Sequence, residues 1–113
     1  MIADIINQFR YENGKERVFC RNPVENNYCF LHCLHMARQG QVEHTHEYLL
    51  KDRAEAVASC SFNSDMDTSA RYLIFNVLSE SEKHRDVLLK YDNLAYGIYL
   101  HNYKMYLTIR GWN

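Results

Sequence analysis

Proline and glycine are scarce in this chain of 113 residues, which has one Pro and four Gly. Linkers are normally rich in these residues or in Ser, so we expect no internal boundary and one domain over residues 1–113. Charge of one sign is also lacking, because 13 Lys plus Arg face 14 Asp plus Glu. The balance predicts no overall positive field that would attract nucleic acid or an anionic membrane. A hydrophobic share of 47% is enough for one compact core.

Long apolar runs are missing as well. The first ten residues include Asp4 and do not reach the length of a signal-peptide core or a membrane span, so we expect a soluble intracellular protein. Only four cysteines occur, and thiols are normally reduced inside cells. They are then core residues, metal ligands or nucleophiles: Cys20, Cys29, Cys33 and Cys60.

The N-terminal quarter predicts a short helix followed by a hairpin. The helix covers residues 2–9. Asn13-Gly14 then lies between two segments with aromatic residues at alternating positions, a pattern typical of a type I′ turn between strands. Residues 21–28 are polar and contain Pro23, which indicates an irregular loop.

The middle of the chain is predicted to be helical. One helix starts near Phe30 and ends at Gly40, and apolar residues at helical spacing predict another over residues 42–60. Ser64 and Ser79 each have an acidic residue three positions later, as in a capping box. Two further helices are therefore expected, over residues 67–78 and 80–90.

The C-terminal segment Ala95–Ile109 is rich in Tyr, Ile, Leu and Thr, which favour a pleated sheet. It predicts two strands with a break near His101–Lys104. The whole chain is expected to be α+β with segregated elements: an N-terminal hairpin, a helical middle and a C-terminal antiparallel sheet.

Cys29 is the candidate nucleophile. It lies at the predicted start of a helix, where unpaired N–H groups and the helix dipole stabilise a thiolate. His101, at the mouth of the predicted terminal sheet, is the candidate base. Asn22, Asn26 and Asn27 carry amides that can donate to an oxyanion together with the Cys29 N–H. Core packing is the competing interpretation of Cys29, because free cysteines are often buried.

A metal site is the second alternative for the same helix. Cys29, His32, Cys33 and His35 are all zinc-ligand types within one and a half turns. They span more than one helix face, however, and lack the usual spacing of paired zinc cysteines. We therefore predict no metal and no other cofactor, and structural zinc stays open as a minor alternative.

Two blocks of sequence frame the candidate pair. The first runs from Tyr11 to Phe19, through Pro23, to Asn27-Tyr28-Cys29-Phe30-Leu31, and the second is Gly97-Ile98-Tyr99-Leu100-His101 followed by a strand ending in Gly111-Trp112. They resemble the papain-like cysteine proteases of RNA-virus polyproteins, above all the picornavirus leader proteases. A looser resemblance, carried by Ala70–Phe75 and Tyr28-Cys29-Phe30, links the chain to the helper-component proteases of potyviruses.

The resemblance implies a small papain-like fold with the nucleophile at a helix N-terminus. It implies a thiol protease of the host cytoplasm that cuts a viral polyprotein and host proteins, with a peptide or protein segment as substrate. Cys29 would be the nucleophile and His101 the base, while Asn113 would orient the histidine. Val24 stands where the family has its oxyanion Asn, so Asn22 or Asn26 would substitute for it.

The alternative function is a non-enzymatic accessory protein. Nine tyrosines offer a recognition surface, and five of them lie between residues 91 and 106, in the predicted sheet. Such a protein would bind a host factor through this sheet, with or without a structural zinc. Contact with nucleic acid or membrane is expected for neither function, and the sequence does not indicate an oligomeric state.

Overall fold

The computed structural model describes residues 1–62 and 65–113. They form an α+β fold, as the sequence predicts. The elements in chain order are α1 (Ile2–Glu12), α2 (Pro23–Gln39), α3 (Glu47–Leu50), β1 (Ala54–Ser61), α4 (Met66–Tyr72), a π-helical turn (Leu73–Val77), a 3-10 turn (Leu78–Glu80), α5 (Glu82–Leu89), β2 (Asn93–His101) and β3 (Lys104–Trp112). No helix within the described residues has the length and apolar character needed to cross a membrane.

The three strands form one antiparallel sheet in the order β1-β3-β2. β2 and β3 are joined by Asn102 and Tyr103, both with positive φ, as a tight hairpin turn requires. The predicted C-terminal antiparallel sheet is therefore confirmed, including its break between His101 and Lys104.

Alternate strand residues point to two different helical layers. On one face, Met105, Leu107 and Ile109 pack in the main core with α1, α4 and α5. On the other face, α2 lies across β2 and β3. The smaller core on the α2 side consists of Cys33, Met36, Ala37, Val57 and Tyr106.

The predicted N-terminal hairpin is wrong. α1 continues to Glu12, and Asn13 and Gly14 end that helix, with Gly14 at φ +74°. An Asn-Gly pair suits a helix end as well as a hairpin, because both need a residue that tolerates positive φ. Residues 15–22 contain no strand; Val18 instead exchanges two hydrogen bonds with the side chain of Asn7, at 2.8 and 2.9 Å.

The predicted loop over residues 21–28 is also wrong, because α2 begins at Pro23. Proline suits the first position of a helix, where its missing N–H is not needed. Asn22 precedes it, and its side chain accepts a hydrogen bond from the Glu25 N–H at 3.0 Å. Gly40 ends the helix in the left-handed conformation, as predicted.

The long helix predicted over residues 42–60 is replaced by the one-turn α3 and the strand β1. The segment Ala54-Glu55-Ala56-Val57-Ala58 contains alanine at every second position, and these small side chains face the main core. The two later helices are confirmed in outline. Asp65 caps α4, while Ser64 lies outside the described residues. The Ser79 hydroxyl donates to the Phe75 carbonyl, and α5 begins after Ser81.

Candidate functional site

Two buried residues of opposite charge lie side by side in the sheet. Arg110 of β3 and Glu55 of β1 are direct cross-strand partners, on the face that α2 covers. Arg110 keeps 3% of its surface exposed and Glu55 keeps 8%. A buried charge is unfavourable unless partner charges and hydrogen bonds compensate for it. The pair therefore needs further partners.

Glu25 and Arg53 supply these partners. Glu25, in the first turn of α2, accepts a hydrogen bond from Arg53 Nε at 2.7 Å, and its other carboxylate oxygen lies 3.7 Å from Arg110 Nη1. Arg110 Nε lies 3.8 Å from a carboxylate oxygen of Glu55. Two positive and two negative side chains thus balance each other.

Glu55 is held by hydrogen bonds from the segment before α3. Thr45 donates from its backbone N–H at 2.8 Å and from its hydroxyl at 2.6 Å, and His44 Nδ1 lies at 3.1 Å. The contacts of Arg110 are longer than hydrogen bonds, and its Nε has no hydrogen-bond partner among the described residues. Arg110 is therefore bound to the network by charge, while the carboxylates are also hydrogen-bonded.

A pocket of about 450 Å³ lies beside this network. We call it the α2 pocket. It is lined by Glu25, Tyr28, Leu31, His32, His35, residues 43–46, residues 49–51, Arg53 and Arg110. Tyr28, Leu31 and His35 form one wall, because positions three and four apart lie on one face of a helix. Leu31 and Leu49 are each about half exposed, so the mouth of the pocket is apolar while its floor is charged.

The segment of residues 43–46 forms the second wall of the pocket, and two histidines attach this segment to α2. The Nε2 atom of His32 donates to the Glu43 carbonyl oxygen at 2.6 Å, and His35 Nε2 lies 3.1 Å from the Glu43 carboxylate. Across residues 1–62 and 65–113, no three His, Cys, Asp or Glu side chains are placed to hold a metal ion together. In this structure, His32 and His35 hold the pocket in shape.

Cys29 lies inside the helix–sheet interface and not at a helix start. It is the seventh residue of α2 and is fully buried. Cys29 lies six helical steps, or about 9 Å along the axis, from Pro23, whereas the dipole acts mainly within the first turn. Burial raises the pKa of the Cys29 thiol far above its ordinary value, and the nearby charge of Arg110 only partly offsets this. The predicted placement at a helix N-terminus is therefore wrong.

The surroundings of Cys29 are close-packed. A methyl group added to Gly97 would lie 2.6 Å from the Cys29 carbonyl carbon and 2.3 Å from the Phe30 nitrogen, so β2 touches the helix backbone there. Cys33, one turn later, donates to the Gly97 carbonyl at 3.2 Å and lies 3.2 Å from the Thr108 hydroxyl. Burial raises the pKa of Cys33 to about 12. Both thiols are packing groups in this geometry.

The structure does not bring His101 and Asn113 to Cys29. His101 is exposed and lies four residues beyond Gly97 in β2, about 13 Å along the strand. Asn113 follows Trp112, the partner of Asn93, at the opposite end of the hairpin from His101. About 26 Å of strand therefore separates Asn113 from the histidine it was expected to orient. Its side chain accepts instead from the Asp92 N–H at 3.0 Å.

Two of the three candidate oxyanion donors have structural roles, and the third, Asn27, is exposed on α2. Asn22 caps α2, as described above. Asn26 donates to the Cys20 carbonyl at 3.2 Å and accepts from the Tyr96 N–H at 3.1 Å, which ties α2 to the edge of β2. The catalytic and oxyanion roles of these residues remain predictions that this geometry does not favour.

The charged floor of the α2 pocket was not predicted from the sequence. Its signal was present, because Arg110 and Glu55 each interrupt a run of strand residues with a charge. Only the pairing of β1 with β3 brings them together, and β1 had been predicted as helix.

No protein-family model and no curated protein matches the chain. The chemistry of the site therefore rests on the geometry given above.

Proposed function

We propose that the chain is a non-enzymatic binding protein whose α2 pocket takes a short apolar or aromatic segment of a protein partner. The observation that carries the proposal is the pocket itself, with an apolar mouth above a charge-balanced floor. Ligand sites of this size are typically apolar with a few fixed polar groups. Hydrophobic and aromatic-lined grooves are among the recurring sites at which proteins recognise peptide segments.

The apolar mouth favours an apolar partner group. Leu31 and Leu49 are about half exposed, so covering them removes apolar surface from water. Each contributes about 1 kcal/mol when the remaining exposed area is buried. Tyr28 lies between the mouth and the floor, where its ring stands 5.5 Å from the Arg110 guanidinium. A planar or branched side chain fits against these groups.

The floor argues against a strongly charged ligand group. Arg53 and Arg110 are matched by Glu25 and Glu55, so an added carboxylate or ammonium group would disturb the balance. A neutral oxygen, such as a peptide carbonyl, adds an acceptor without adding a charge. The preferred ligand is therefore a peptide segment with an apolar or aromatic residue in the mouth.

The test is selection from a random peptide library on the purified protein, followed by affinity measurement on two matched variants. Leu31→Asp places a charge in the pocket mouth. Val24→Asp places the same charge on an exposed apolar site of the same helix, outside the pocket. Selected peptides should be rich in aromatic or branched residues, bind Leu31→Asp at least tenfold more weakly than wild type, and bind Val24→Asp like wild type.

Failure to enrich any peptide would contradict the proposal. Equal losses of affinity in Leu31→Asp and Val24→Asp would contradict it as well, because binding would then not depend on the α2 pocket.

The thiol-protease function remains a prediction from the sequence resemblance. It requires the Cys29 thiol to react, whereas that thiol is fully buried and Cys20 is half-buried. Alkylation of the folded protein followed by mass spectrometry separates the two functions. The binding function predicts that Cys20 is modified well before Cys29. Preferential modification of Cys29 by a peptide epoxide, with cleavage lost in Cys29→Ala, would establish the protease instead.

A further inference from the structure

The extended segment before α2 presents a row of side chains to solvent. Along residues 17–21 burial alternates: Val18 is buried, Cys20 is half-buried, and the residues between and around them are exposed. Asn7 holds the backbone of Val18 by two hydrogen bonds, and Asn26 holds the carbonyl of Cys20. The exposed row is therefore fixed on the protein surface.

This row consists of an aromatic ring between two guanidinium groups. Phe19 is 59% exposed, and the Arg17 and Arg21 guanidinium carbons lie 5.6 and 4.6 Å from its ring centroid. Across a groove of about 440 Å³, Trp112 forms the other aromatic group, with the Arg53 guanidinium carbon 4.5 Å from its ring centroid. We call this feature the Phe19–Trp112 groove; its lining residues are Phe19, Arg21, Asn22, Pro23, Asn93, Leu94 and Trp112.

The local charge of this groove differs from that of the whole chain. None of the described residues that line it carries a carboxylate, and in the part of the chain that the structure describes neither Arg17 nor Arg21 forms an ion pair. Of the three arginines that lie beside the two aromatic rings, only Arg53 forms an ion pair among the described residues, and its partner is Glu25. The net charge of -1 thus conceals a positive, aromatic surface patch.

We propose that the Phe19–Trp112 groove binds single-stranded nucleic acid, with bases stacked on Phe19 and Trp112 and phosphates contacted by Arg17 and Arg21. Proteins that bind single strands combine a positive groove with aromatic side chains, on which bases of any type stack. Guanidinium groups also stack on bases and pair with phosphates through their N–H groups. This second site is independent of the function proposed for the α2 pocket.

An acidic peptide is the competing ligand, because it would also satisfy the arginines. Its carboxylates have no use for the two aromatic rings, whereas a base presents a flat face to each of them. The presence of rings and guanidinium groups in one groove therefore favours a nucleotide chain.

Tryptophan fluorescence gives a direct test, since Trp112 is the only tryptophan of the chain. We expect an oligouridine of about eight nucleotides to quench it to saturation. Contact of two arginines with phosphates predicts a slope of about −1.4 in log affinity against log salt, or roughly a sevenfold loss between about 50 and 200 mM salt.

Substitutions locate the binding. Phe19→Ala should weaken it roughly tenfold while Phe19→Tyr retains it, and Arg21→Ala should lower the salt slope by about 0.7. Tyr103→Ala and Arg38→Ala are matched controls: Tyr103 is 84% exposed at the far end of the β2–β3 hairpin, and Arg38 is exposed near the end of α2. Both should bind like wild type.

Three results would overturn the proposal. The first is an absence of saturable quenching, or quenching that is unchanged in Phe19→Ala. The second is a poly-glutamate peptide that binds as tightly as the oligouridine, which would make the groove a site for acidic peptides. The third is uridine monophosphate binding with the affinity of the oligomer, since a strand site must gain from several nucleotides.

Discussion

The contact between Gly97 and the backbone of α2 gives a sharp prediction about stability. In Gly97→Ala the new methyl group would lie 2.3 Å from the Phe30 nitrogen and 2.7 Å from its Cα, where about 3.4 Å is ordinary. The obstacle is backbone, so no rotamer change relieves it, and α2 must move by about 1 Å. That movement strains the Cys33 and Asn26 hydrogen bonds to β2. We expect a loss of about 3 kcal/mol in the free energy of unfolding.

Thermal and urea unfolding followed by circular dichroism measure this loss. For a chain of this size, about 3 kcal/mol lowers Tm by roughly 10–15 °C. Gly14→Ala is the control, because Gly14 has nothing within 4 Å and only its positive φ opposes a side chain, which costs about 1 kcal/mol. If Gly97→Ala were no less stable than Gly14→Ala, the close approach of β2 to α2, and with it the burial of Cys29, would be refuted.

Three further substitutions test the site and its supports. Asn26→Ala should lower the free energy of unfolding by about 1–2 kcal/mol in urea denaturation, because two backbone groups lose their partner; an unchanged midpoint would contradict this. Arg110→Met should lower the free energy of unfolding by about 2 kcal/mol. This loss is smaller than for an isolated buried ion pair, because Glu25 and Glu55 keep other hydrogen-bond donors. A variant more stable than wild type would show that the buried charge is dispensable. Burial, and then the charge of His44, lower the pKa of His84. The unfolded chain therefore binds a proton that the folded chain resists, and stability falls as the pH drops below about 6.5. His84→Gln should flatten this dependence of stability on pH. If variant and wild type lost stability equally between about pH 7 and 5.5, His84 would not be its source.

Features set by local chemistry were predictable from the sequence. Gly40 ends α2 because a left-handed residue is needed there, and the β2–β3 hairpin breaks where predicted, at His101–Lys104. The helices near residues 67–78 and 80–90 were predicted from the spacings at Ser64 and Ser79, and they form in outline although Asp65 caps α4 and α5 begins after Ser81.

Features decided by tertiary contact were not predictable. Asn13-Gly14 is chemically suited to a hairpin turn and to a helix end, and only the packing of α1 in the main core favours the helix. In β1, alternating alanines have high helix propensity, and the strand forms because β3 offers it a partner. An error at β1 hides the Glu55–Arg110 pair, and with it the floor of the α2 pocket.

The Cys29 prediction failed at the helix boundary. With Pro23 assigned to a loop, the sequence placed Cys29 in the first turn, where a thiolate is stabilised. With Pro23 as the first helical residue, the same thiol faces the sheet at Gly97. A shift of the helix start by about two turns therefore converts a candidate nucleophile into a core residue.

The central claim is that the chain acts by binding a partner segment in the α2 pocket. The most direct measurement is a titration of the isotope-labelled protein with a library-selected peptide, followed by the chemical shifts of its backbone amides. The account predicts that the largest changes fall within residues 28–35 and 43–53, which contain most of the residues that line the pocket. Changes confined to residues that do not line the pocket, for example around His101, would contradict it.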